Sequence, residues 1–517
     1  MDRCSSFILI LAMLEIPCIV SATDVVIRSS FGILEGRKLS PVNGKTYVGF
    51  RGIPYAKPPI GELRFAKPEP HPKLEGQFNA KEEAVPCIRP LSHLYGTPPG
   101  REDCLLLNIF MQNLPLDPMN HRRKVLVFIH GGGYSVGASR EYDPGTLITT
   151  DDIIVVTLNY RLGILGFMST EDEASPGNFG LWDQALALNW VKTHIASFGG
   201  DPDDVTVAGE SAGGISIQLL AISPFGKGLF TKMFSLSGGA AFITQENMAP
   251  LKDALELADH FGCRRKDLPT TSSVSESKGI LKCLRDVPEE EFARYNFVGI
   301  DRIRFSPRID GVFIPLVPKR LLKDETFLKS VGFFDRSYLV LLDNNERSQM
   351  KAYIQRTKTA IYRNYTASET EKAVDFSSMV SIARDTYITS RINLLNKQTC
   401  LEKVLDWYER RETFDNAATS IMADVLFLFP SIDFLEAVGL RKSSSGRFIL
   451  FDHFPSILRG YPNKGMVHGM DIPYLFDYNM TYLGKLTGLS LPEGLNDEEL
   501  LMKTSFISLV VDFVKTG

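Results

Sequence analysis

The sequence has few of the residues and patterns that mark specialised classes of protein. Of 517 residues only 3 are Trp and 7 are Cys, and Lys plus Arg number 57 against 61 Asp plus Glu. The net charge is -4 and no dense basic run occurs, so the chain lacks the electrostatic footprint of nucleic-acid binding. It contains no C-x-x-C pair and no H-E-x-x-H motif, which leaves a zinc site without support. We expect no nucleic-acid partner and no metal.

Long apolar runs are also lacking after the N-terminus. No stretch there approaches the roughly 18 consecutive apolar residues of a membrane-spanning helix, so no transmembrane segment is predicted. Phe7–Leu14 is an apolar run of signal-peptide length, and Val20-Ser21-Ala22 offers small residues for cleavage. We predict a signal peptide at residues 1–22 and a secreted, extracellular protein that begins near Thr23. The alternative is a cytosolic chain with an apolar start.

The cysteines after the predicted signal peptide, together with two sequons, fit an oxidising compartment. Asn364-Tyr365-Thr366 and Asn479-Met480-Thr481 are acceptor sequences for N-glycans, which we expect on the secreted protein. Two of the possible cysteine pairings close short, turn-flanked loops: Cys87 with Cys104, and Cys263 with Cys283. Cys400 has no local partner. We expect two disulfides, and the alternative is a set of buried thiols.

The whole chain has the composition of a globular protein, 44% hydrophobic and 23% charged. Apolar runs bounded by turns alternate with helical stretches, which is typical of an α/β protein. Trp182–Ala196 places apolar residues at helical spacing and is predicted to lie on a sheet. The absence of repeats and long linkers favours one large domain over residues 23–517, with helical insertions in its second half. The runs predicted as buried strands are Val125–Ile129, Ile153–Leu158, Val205–Ala208, Tyr338–Leu342 and Phe448–Phe451.

The strongest motif is Gly209-Glu210-Ser211-Ala212-Gly213, which lies between a predicted strand and the helix-compatible run Ile215–Ile222. A G-x-S-x-G sequence in this position is typical of a nucleophile elbow. Small residues flank the serine because the turn is sharp, and the turn lifts the hydroxyl off the sheet toward a base. The pattern makes Ser211 a candidate nucleophile.

A second glycine-rich segment supports that interpretation. His130-Gly131-Gly132-Gly133 directly follows the predicted strand Val125–Ile129. Backbone N–H groups can approach the negative charge of an acyl-transfer transition state only where side chains do not intervene, so glycine runs serve as oxyanion holes. The alternative is a flexible turn after a strand.

Further segments resemble one known family along almost the whole mature chain. They are Phe50–Pro59, Glu102–Leu105, Asn159–Gly163, Phe198–Pro202 and Gly209–Gly214. This ordered series resembles the type-B carboxylesterase and cholinesterase-like branch of the α/β-hydrolases. The resemblance implies an α/β-hydrolase fold, in which helices flank a mostly parallel central sheet. It also implies catalysis without a cofactor, on a small-molecule ester substrate.

The resemblance assigns roles to individual residues. Ser211 matches the nucleophile, His468 in Gly465–Asp471 the histidine, and Glu346 in Asp343–Glu346 the acid. This order of serine, acid and histidine is the order along the chain in α/β-hydrolases. The oxyanion N–H groups fall on Gly132, Gly133 and Ala212. The same resemblance implies the two disulfides named above and two buried charge pairs, Arg64 with Glu102 and Arg161 with Asp183.

Some positions depart from the family pattern. Leu341 and Arg347 stand where the family normally has glycine, which leaves Asp343 as an alternative acid. Met502–Gly517 resembles the helix before the family's final segment, and the chain stops there, as a truncated member would. His453 competes for the role of base because it follows a predicted strand, but only His468 has flanking glycines.

We therefore predict a secreted serine hydrolase that cleaves carboxylic esters through an acyl-enzyme. One alternative is an adhesion or binding protein on the same fold, since the family contains members without the catalytic serine. A second alternative is a cholinesterase. In cholinesterases a Trp in the first disulfide loop binds the quaternary ammonium group, whereas here residues 87–104 contain no Trp and include Arg89 and Arg101. Uncharged aryl or alkyl esters are the expected substrates, and the oligomeric state is left open.

Overall fold

A computed structural model of the chain describes residues 23–40, 43–90, 100–118, 122–243, 249–264, 273–295, 305–344, 346, 410, 420, 423–439, 445–456, 468–477 and 494–517. The predicted signal peptide, both sequons, Cys400 and Arg347 lie outside these residues.

The described strands form one mixed sheet. Its order is β1-β2-β3-β5-β7-β6-β8-β9-β10-β11, and β4 pairs with β2. The pairs from β1 to β7 on this path are antiparallel, and those from β7 through β6 to β11 are parallel. The strands are β1 Asp24–Arg28, β2 Ile33–Leu39, β3 Tyr47–Pro54, β4 Gln77–Asn79, β5 Leu106–Met111, β6 Arg123–Ile129, β7 Ile154–Leu158, β8 Gly200–Glu210, β9 Lys232–Leu236, β10 Ser337–Asp343 and β11 Ser445–Phe451.

Helices cover the two faces of this sheet. Among the described helices, none has the length and apolarity needed to cross a bilayer. A π-helical segment, Asp424–Leu428, runs directly into the α-helix that begins at Phe429. The α-helices are α1 Gly145–Thr150, α2 Gly163–Phe167, α3 Phe179–His194, α4 Ala212–Ala221, α5 Pro250–His260, α6 Val274–Arg285, α7 Glu289–Arg294, α8 Pro318–Leu321, α9 Glu325–Ser330, α10 Phe429–Val438, α11 Ile472–Leu475 and α12 Asp497–Thr516.

The central strands are apolar without interruption because both of their faces are buried. Side chains alternate along β6: Val125, Val127 and Ile129 belong to the core beneath α3 and α4, whereas Leu126 and Phe128 belong to the core beneath α12. The sheet therefore separates two hydrophobic cores.

The predicted strands are all present, but one prediction of burial is wrong. Within β11, Phe448 and Leu450 are 45% and 50% exposed, and Phe451 is buried. Among the described strands β11 pairs only with β10, at the end of the strand order. A strand at this edge can expose one face, which an apolar run in the sequence does not reveal.

The covalent and ionic links expected around the sheet are confirmed. Disulfides join Cys87 to Cys104 and Cys263 to Cys283. Arg64 pairs with Glu102 at 2.5 Å, and its guanidinium also donates to backbone carbonyls in the last turn of α6 and just after it.

The second buried pair joins the loop after β7 to α3. Arg161 donates two hydrogen bonds from its guanidinium to Asp183, at 2.7 and 2.8 Å, and its backbone N–H donates a third at 3.0 Å. Asp183 is fully buried. These contacts fix the loop Asn159–Gly163 against the helix.

Replacing Arg161 tests how much this pair contributes to the free energy of unfolding. Arg161→Leu should lower the free energy of unfolding by about 3–5 kcal/mol, because it leaves the Asp183 carboxylate buried without a partner. Lys192→Leu is the matched control, since Lys192 and Asp203 form an exposed pair at 2.7 Å. Water screens that pair, so its loss should be much smaller. Urea denaturation of both variants decides the matter, and equal losses would contradict the expectation.

Candidate active site

Ser211 lies in the sharp turn between β8 and α4. Its backbone has φ 54° and ψ -120°, a strained conformation for a residue with a side chain. The turn is held on both sides: Ser211 N–H donates to Leu236 O at 2.9 Å, and Ser211 O accepts from Ile215 N at 2.8 Å. The sheet and the helix therefore fix the position of the hydroxyl-bearing carbon.

Gly213 shows why the turn requires glycine. A Cβ atom at Gly213 would lie 2.0 Å from the carbonyl oxygen of Ile129, on neighbouring β6. Only a residue without a side chain allows α4 to start this close to the sheet. The turn consequently brings Ser211 beside the residues that follow β6.

Those residues form the glycine turn His130–Gly133. Gly132 and Gly133 have φ 103° and 59°, and Gly132 O accepts hydrogen bonds from Ser135 N and Val136 N. Among the described residues, no acceptor binds the backbone N–H of Gly132, Gly133 or Ala212. The N–H of Ala212 also lies at the N-terminus of α4, where the helix dipole favours negative charge.

His130 supports the glycine turn and does not belong to the reacting groups. Its ring stacks on Tyr160 at 4.5 Å, and the Tyr160 hydroxyl donates to His130 O at 3.0 Å. Burial lowers the pKa of His130 to about 4, so the ring is neutral at physiological pH. Its place is consistent with a positioning role.

The structure brings His468 and Glu346 together. His468 Nδ1 lies 2.7 Å from Glu346 Oε2, and both side chains are buried. The other carboxylate oxygen, Oε1, accepts from the Ser237 hydroxyl at 2.5 Å and from Asp343 N at 3.3 Å. Phe427 packs against the imidazole, with ring centroids 4.6 Å apart. These contacts hold both the tautomer and the orientation of His468.

Glu210, inside the elbow, faces the second nitrogen of the same ring. His468 Nε2 lies 3.3 Å from Glu210 Oε1. Burial raises the pKa of Glu210 to about 7, the charge of Glu346 adds to this rise, and His468 opposes it. The imidazole therefore lies between two carboxyl groups, one on each nitrogen.

The pKa of His468 reflects this position. Burial lowers the pKa of the ring, but the charge and hydrogen bond of Glu346, with the charges of Glu210 and Asp471, raise it to about 9. The neighbouring carboxylates therefore stabilise the protonated ring, and His468 acts as a general base only in its neutral form.

Two further buried carboxyls lie near the ring. Among the described residues, the side-chain oxygens of Asp343 and Asp471 make no hydrogen bond of normal geometry, and Asp343 has only a weaker interaction with the backbone N–H of Gly469. Burial, together with the charges of Asp471, Glu346 and Glu210, raises the pKa of Asp343 well above its usual value. Burial and the charge of Glu210 raise the pKa of Asp471 to about 8. Burial and the neighbouring anions therefore favour the protonated form of both carboxyls.

The predicted site residues therefore lie in one region of the fold, with one contact not made. Ser211 is next to Glu210, which touches His468, but the Ser211 hydroxyl forms no hydrogen bond to His468 in the described structure. Such hydrogen bonds are often long in enzymes without substrate. His453, the competing histidine, contacts Glu499 and not the site.

Sequence reasoning missed Ser237 and the side chain of Glu210. Ser237 directly follows β9, which lies between β8 and β10 in the sheet. The residues after these three parallel strands meet at one edge. The signal for Ser237 was therefore its position at a strand end, and the signal for Glu210 was its place inside the elbow.

Comparison with known proteins agrees with this geometry. A sequence profile of the carboxylesterase family matches residues 23–517. The chain belongs to the carboxylesterase family. Its fold is accordingly an α/β-hydrolase fold, and its enzyme class is that of carboxylic ester hydrolases.

Relatives of this carboxylesterase-family chain carry different names. Acetylcholinesterase-1 of Trittame loki is 30% identical over 520 residues, which cover 95% of this chain and 86% of the relative. Acylcarnitine hydrolase of Mus musculus is 31% identical, with coverage of 83% and 73%. Pyrethroid hydrolase Ces2e of Rattus norvegicus is 30% identical, with coverage of 90% and 77%. At such similar identities, the names do not single out one substrate.

The Glu210 contact generates a pH prediction. Glu210→Gln removes one anion that raises the pKa of His468, so that pKa should fall and the neutral ring should persist at lower pH. The acidic limb of the pH profile of kcat/KM should move to lower pH by about one unit, the scale of one neighbouring charge. Glu75→Gln, at an exposed loop position, is the control. A limb that stays in place or moves upward would contradict this electrostatic description.

Proposed function

We propose that this carboxylesterase-family chain is a secreted serine esterase that acts through an acyl-enzyme, with Ser211, His468 and Glu346 as its triad. The observation that carries the proposal is the buried 2.7 Å contact of His468 Nδ1 with Glu346, beside the elbow that holds Ser211. A nucleophile, a histidine and an oriented acid are the groups that ester hydrolysis of this kind needs.

The acylation step follows from this arrangement. His468 Nε2 takes the proton of the Ser211 hydroxyl as its oxygen attacks the ester carbonyl carbon. Glu346 keeps the proton on Nδ1 and stabilises the imidazolium that forms. His468 then gives its proton to the departing alcohol oxygen, and the acyl group stays on Ser211. Water repeats the sequence, with His468 as base, and releases the acid.

The glycine turn would stabilise the charge that develops in each step. The N–H groups of Gly132, Gly133 and Ala212, without acceptors among the described residues, are suited to bind the oxyanion. Such donors are already fixed by the sheet and by α4, so little reorganisation is needed during the reaction.

Secretion is supported by the sequence and by the disulfides. Residues 1–22 have the pattern of a signal peptide, and the sequons at Asn364 and Asn479 would receive glycans on that route. Disulfides such as Cys87–Cys104 persist in oxidising compartments.

The alternative of an adhesion protein is weakened by the presence of Ser211 and by its strained turn. A binding protein on this fold has no need of a half-buried serine hydroxyl in that conformation. Nothing in the described residues favours binding of a protein partner over ester hydrolysis.

The cholinesterase alternative requires an aromatic site for a cation. Of the described tryptophans, Trp190 is buried in α3, and the Trp182 ring is covered by Lys67 Nζ at 3.9 Å from its centroid. Arg89 needs a correction: it is buried and pairs with Glu141 at 2.9 Å, so its charge is compensated and does not argue against a cation. In the first disulfide loop, the lack of Trp and the charge of Arg101 still disfavour a quaternary ammonium group.

Labelling of Ser211 tests the mechanism. A fluorescent phosphonate should modify Ser211 in the wild-type protein, and Ser211→Ala should lose both labelling and ester turnover while its thermal melting stays close to that of wild type. Ser330→Ala, an exposed serine on α9, is the matched control and should be labelled normally. Turnover that survives Ser211→Ala would remove the mechanism.

A pair of substrates tests the specificity. We expect a nitrophenyl ester to be hydrolysed with a higher kcat/KM than the thiocholine ester of the same acid, because the first disulfide loop offers no Trp to the quaternary ammonium group. A preference for the thiocholine ester would favour the cholinesterase alternative and would require another aromatic cation site.

A further inference from the structure

A second buried polar cluster lies on the other side of the histidine segment, around Glu499 in the first turn of α12. Glu499 is fully buried, although its side chain is a carboxylate and the helix also has exposed polar positions. Its Oε1 accepts from the backbone N–H of Ser456 at 2.5 Å, and its Oε2 lies 2.7 Å from His453 Nε2. The Tyr474 hydroxyl also donates to Oε2. One carboxylate thus binds three groups from two separate segments.

The two segments are those that hold the acid and the base of the proposed triad. His453 and Ser456 follow β11, and β11 pairs with β10 up to Asp343, three residues before Glu346. Asn344 N–H also donates to Phe451 O at 3.0 Å. The end of β11 and Glu346 are therefore held in place by the same pair of strands.

Tyr474 belongs to the segment that carries His468, the base of the proposed triad. It lies on α11, and its backbone N–H donates to Asp471 O at 3.1 Å, in the turn that begins at His468. Met470 and Ile472, which flank Asp471, are buried in the core beneath α12. A displacement of α11 would thus be passed to the imidazole through a short, packed stretch of chain.

Lys503, one helical turn after Glu499, also binds α11 and the two residues that follow it. Its buried Nζ donates to Pro473 O at 3.1 Å, to Phe476 O at 2.7 Å and to Asp477 Oδ1 at 2.9 Å. The carbonyls at a helix C-terminus lack partners within the helix, and a cation there is favourable. α12 therefore contacts α11 through both Glu499 and Lys503.

We propose that Glu499 is a positioning residue for His468, which it places against Glu346 by joining the end of β11 to α11. The inference rests on the proposed function for its meaning in catalysis. Glu499 touches neither Ser211 nor His468, so it acts only through the segments it connects. Its burial fits the role, because a buried carboxylate bound by three donors has one favourable geometry, whereas an exposed one has many.

The proposal differs from a purely structural role in what it predicts for the active fraction of a variant. A structural staple affects how much protein folds, whereas a positioning residue affects the rate of each folded molecule. Misplacement of a catalytic group by about 1 Å from a remote change can lower the rate about 100-fold. The measurement must therefore be normalised to folded, titratable sites.

Glu499→Gln is the main variant, with Glu498→Gln as its matched control. Both remove one negative charge from the first turn of α12, but Glu498 is exposed. Tyr474→Phe is the second variant, since it keeps the ring and removes only the hydroxyl that reaches Glu499. Active sites are counted by stoichiometric phosphonate labelling, and kcat and KM are measured for a nitrophenyl ester.

A spectroscopic measurement reports on the positioning without turnover. The proton on His468 Nδ1, shared with Glu346 over 2.7 Å, should give a downfield proton NMR signal in the wild-type protein. Glu346→Gln identifies the signal by abolishing it. Glu499→Gln and Tyr474→Phe should shift or broaden it, and Glu498→Gln should leave it unchanged.

We expect kcat per titrated site to fall at least about tenfold in Glu499→Gln, within the range for misplaced groups, with KM nearly unchanged. Tyr474→Phe should show a smaller loss in the same direction. Wild-type kcat per site in the folded variants overturns the proposal, as does a loss of kcat with an unmoved signal. If Glu499→Gln does not fold, Tyr474→Phe decides alone.

Failure of the proposed function would be recognised separately. Wild-type protein that shows neither ester turnover nor labelling of Ser211 would remove the esterase proposal. The NMR comparison of Glu499→Gln with Glu498→Gln would still decide whether Glu499 positions His468 against Glu346.

Discussion

The hydrogen bond between His468 and Glu346 is the contact on which the rest of the site depends, and the order of the sheet makes it possible. Ser211, Ser237 and Glu346 each follow one of three adjacent parallel strands, β8, β9 and β10, so the chain leaves the sheet at the same edge each time. His468 comes from a segment that follows β11 in the chain, and it meets Glu346 at this edge. Three of the four residues are therefore fixed by the sheet, and only the histidine needs separate support.

The buried surroundings of His468 contain more carboxyl groups than its single positive charge can balance. Four buried carboxyls, on Glu210, Asp343, Glu346 and Asp471, form one electrostatic cluster with the imidazole of His468 among the described groups. Four anions cannot be buried together beside one cation, so some of the carboxyls keep their protons. The raised pKa of Asp343 and the pKa of about 8 for Asp471 express this constraint. Every proton held by these carboxyls removes one negative charge from the surroundings of His468 and Glu346.

The parts of the site that the sequence predicted are those whose geometry is local. The elbow around Ser211 and the glycine turn at Gly132 are each written in a few adjacent residues, because sterics at a sharp turn admit only small side chains. The disulfides also close short loops. The contacts of Ser237 and Glu499 could not be predicted this way, since they depend on which strands become neighbours and on how α12 packs. The exposure of β11 was missed for the same reason: an apolar run states its composition and not its place in the sheet.

Leu341 shows how the fold absorbs a departure from the family pattern. The resemblance to the family implies glycine at this position in β10, yet Leu341 is fully buried and its side chain joins the core beneath α12 with Phe451 and Met470. Its backbone still performs a role at the site edge, because Leu341 O accepts the N–H of Ser237 at 2.8 Å. Ser237 in turn donates its hydroxyl to Glu346. The side chain thus adds volume to the core while the main chain keeps the position of the residue that orients the acid, so a larger residue here is compatible with the geometry of His468 and Glu346.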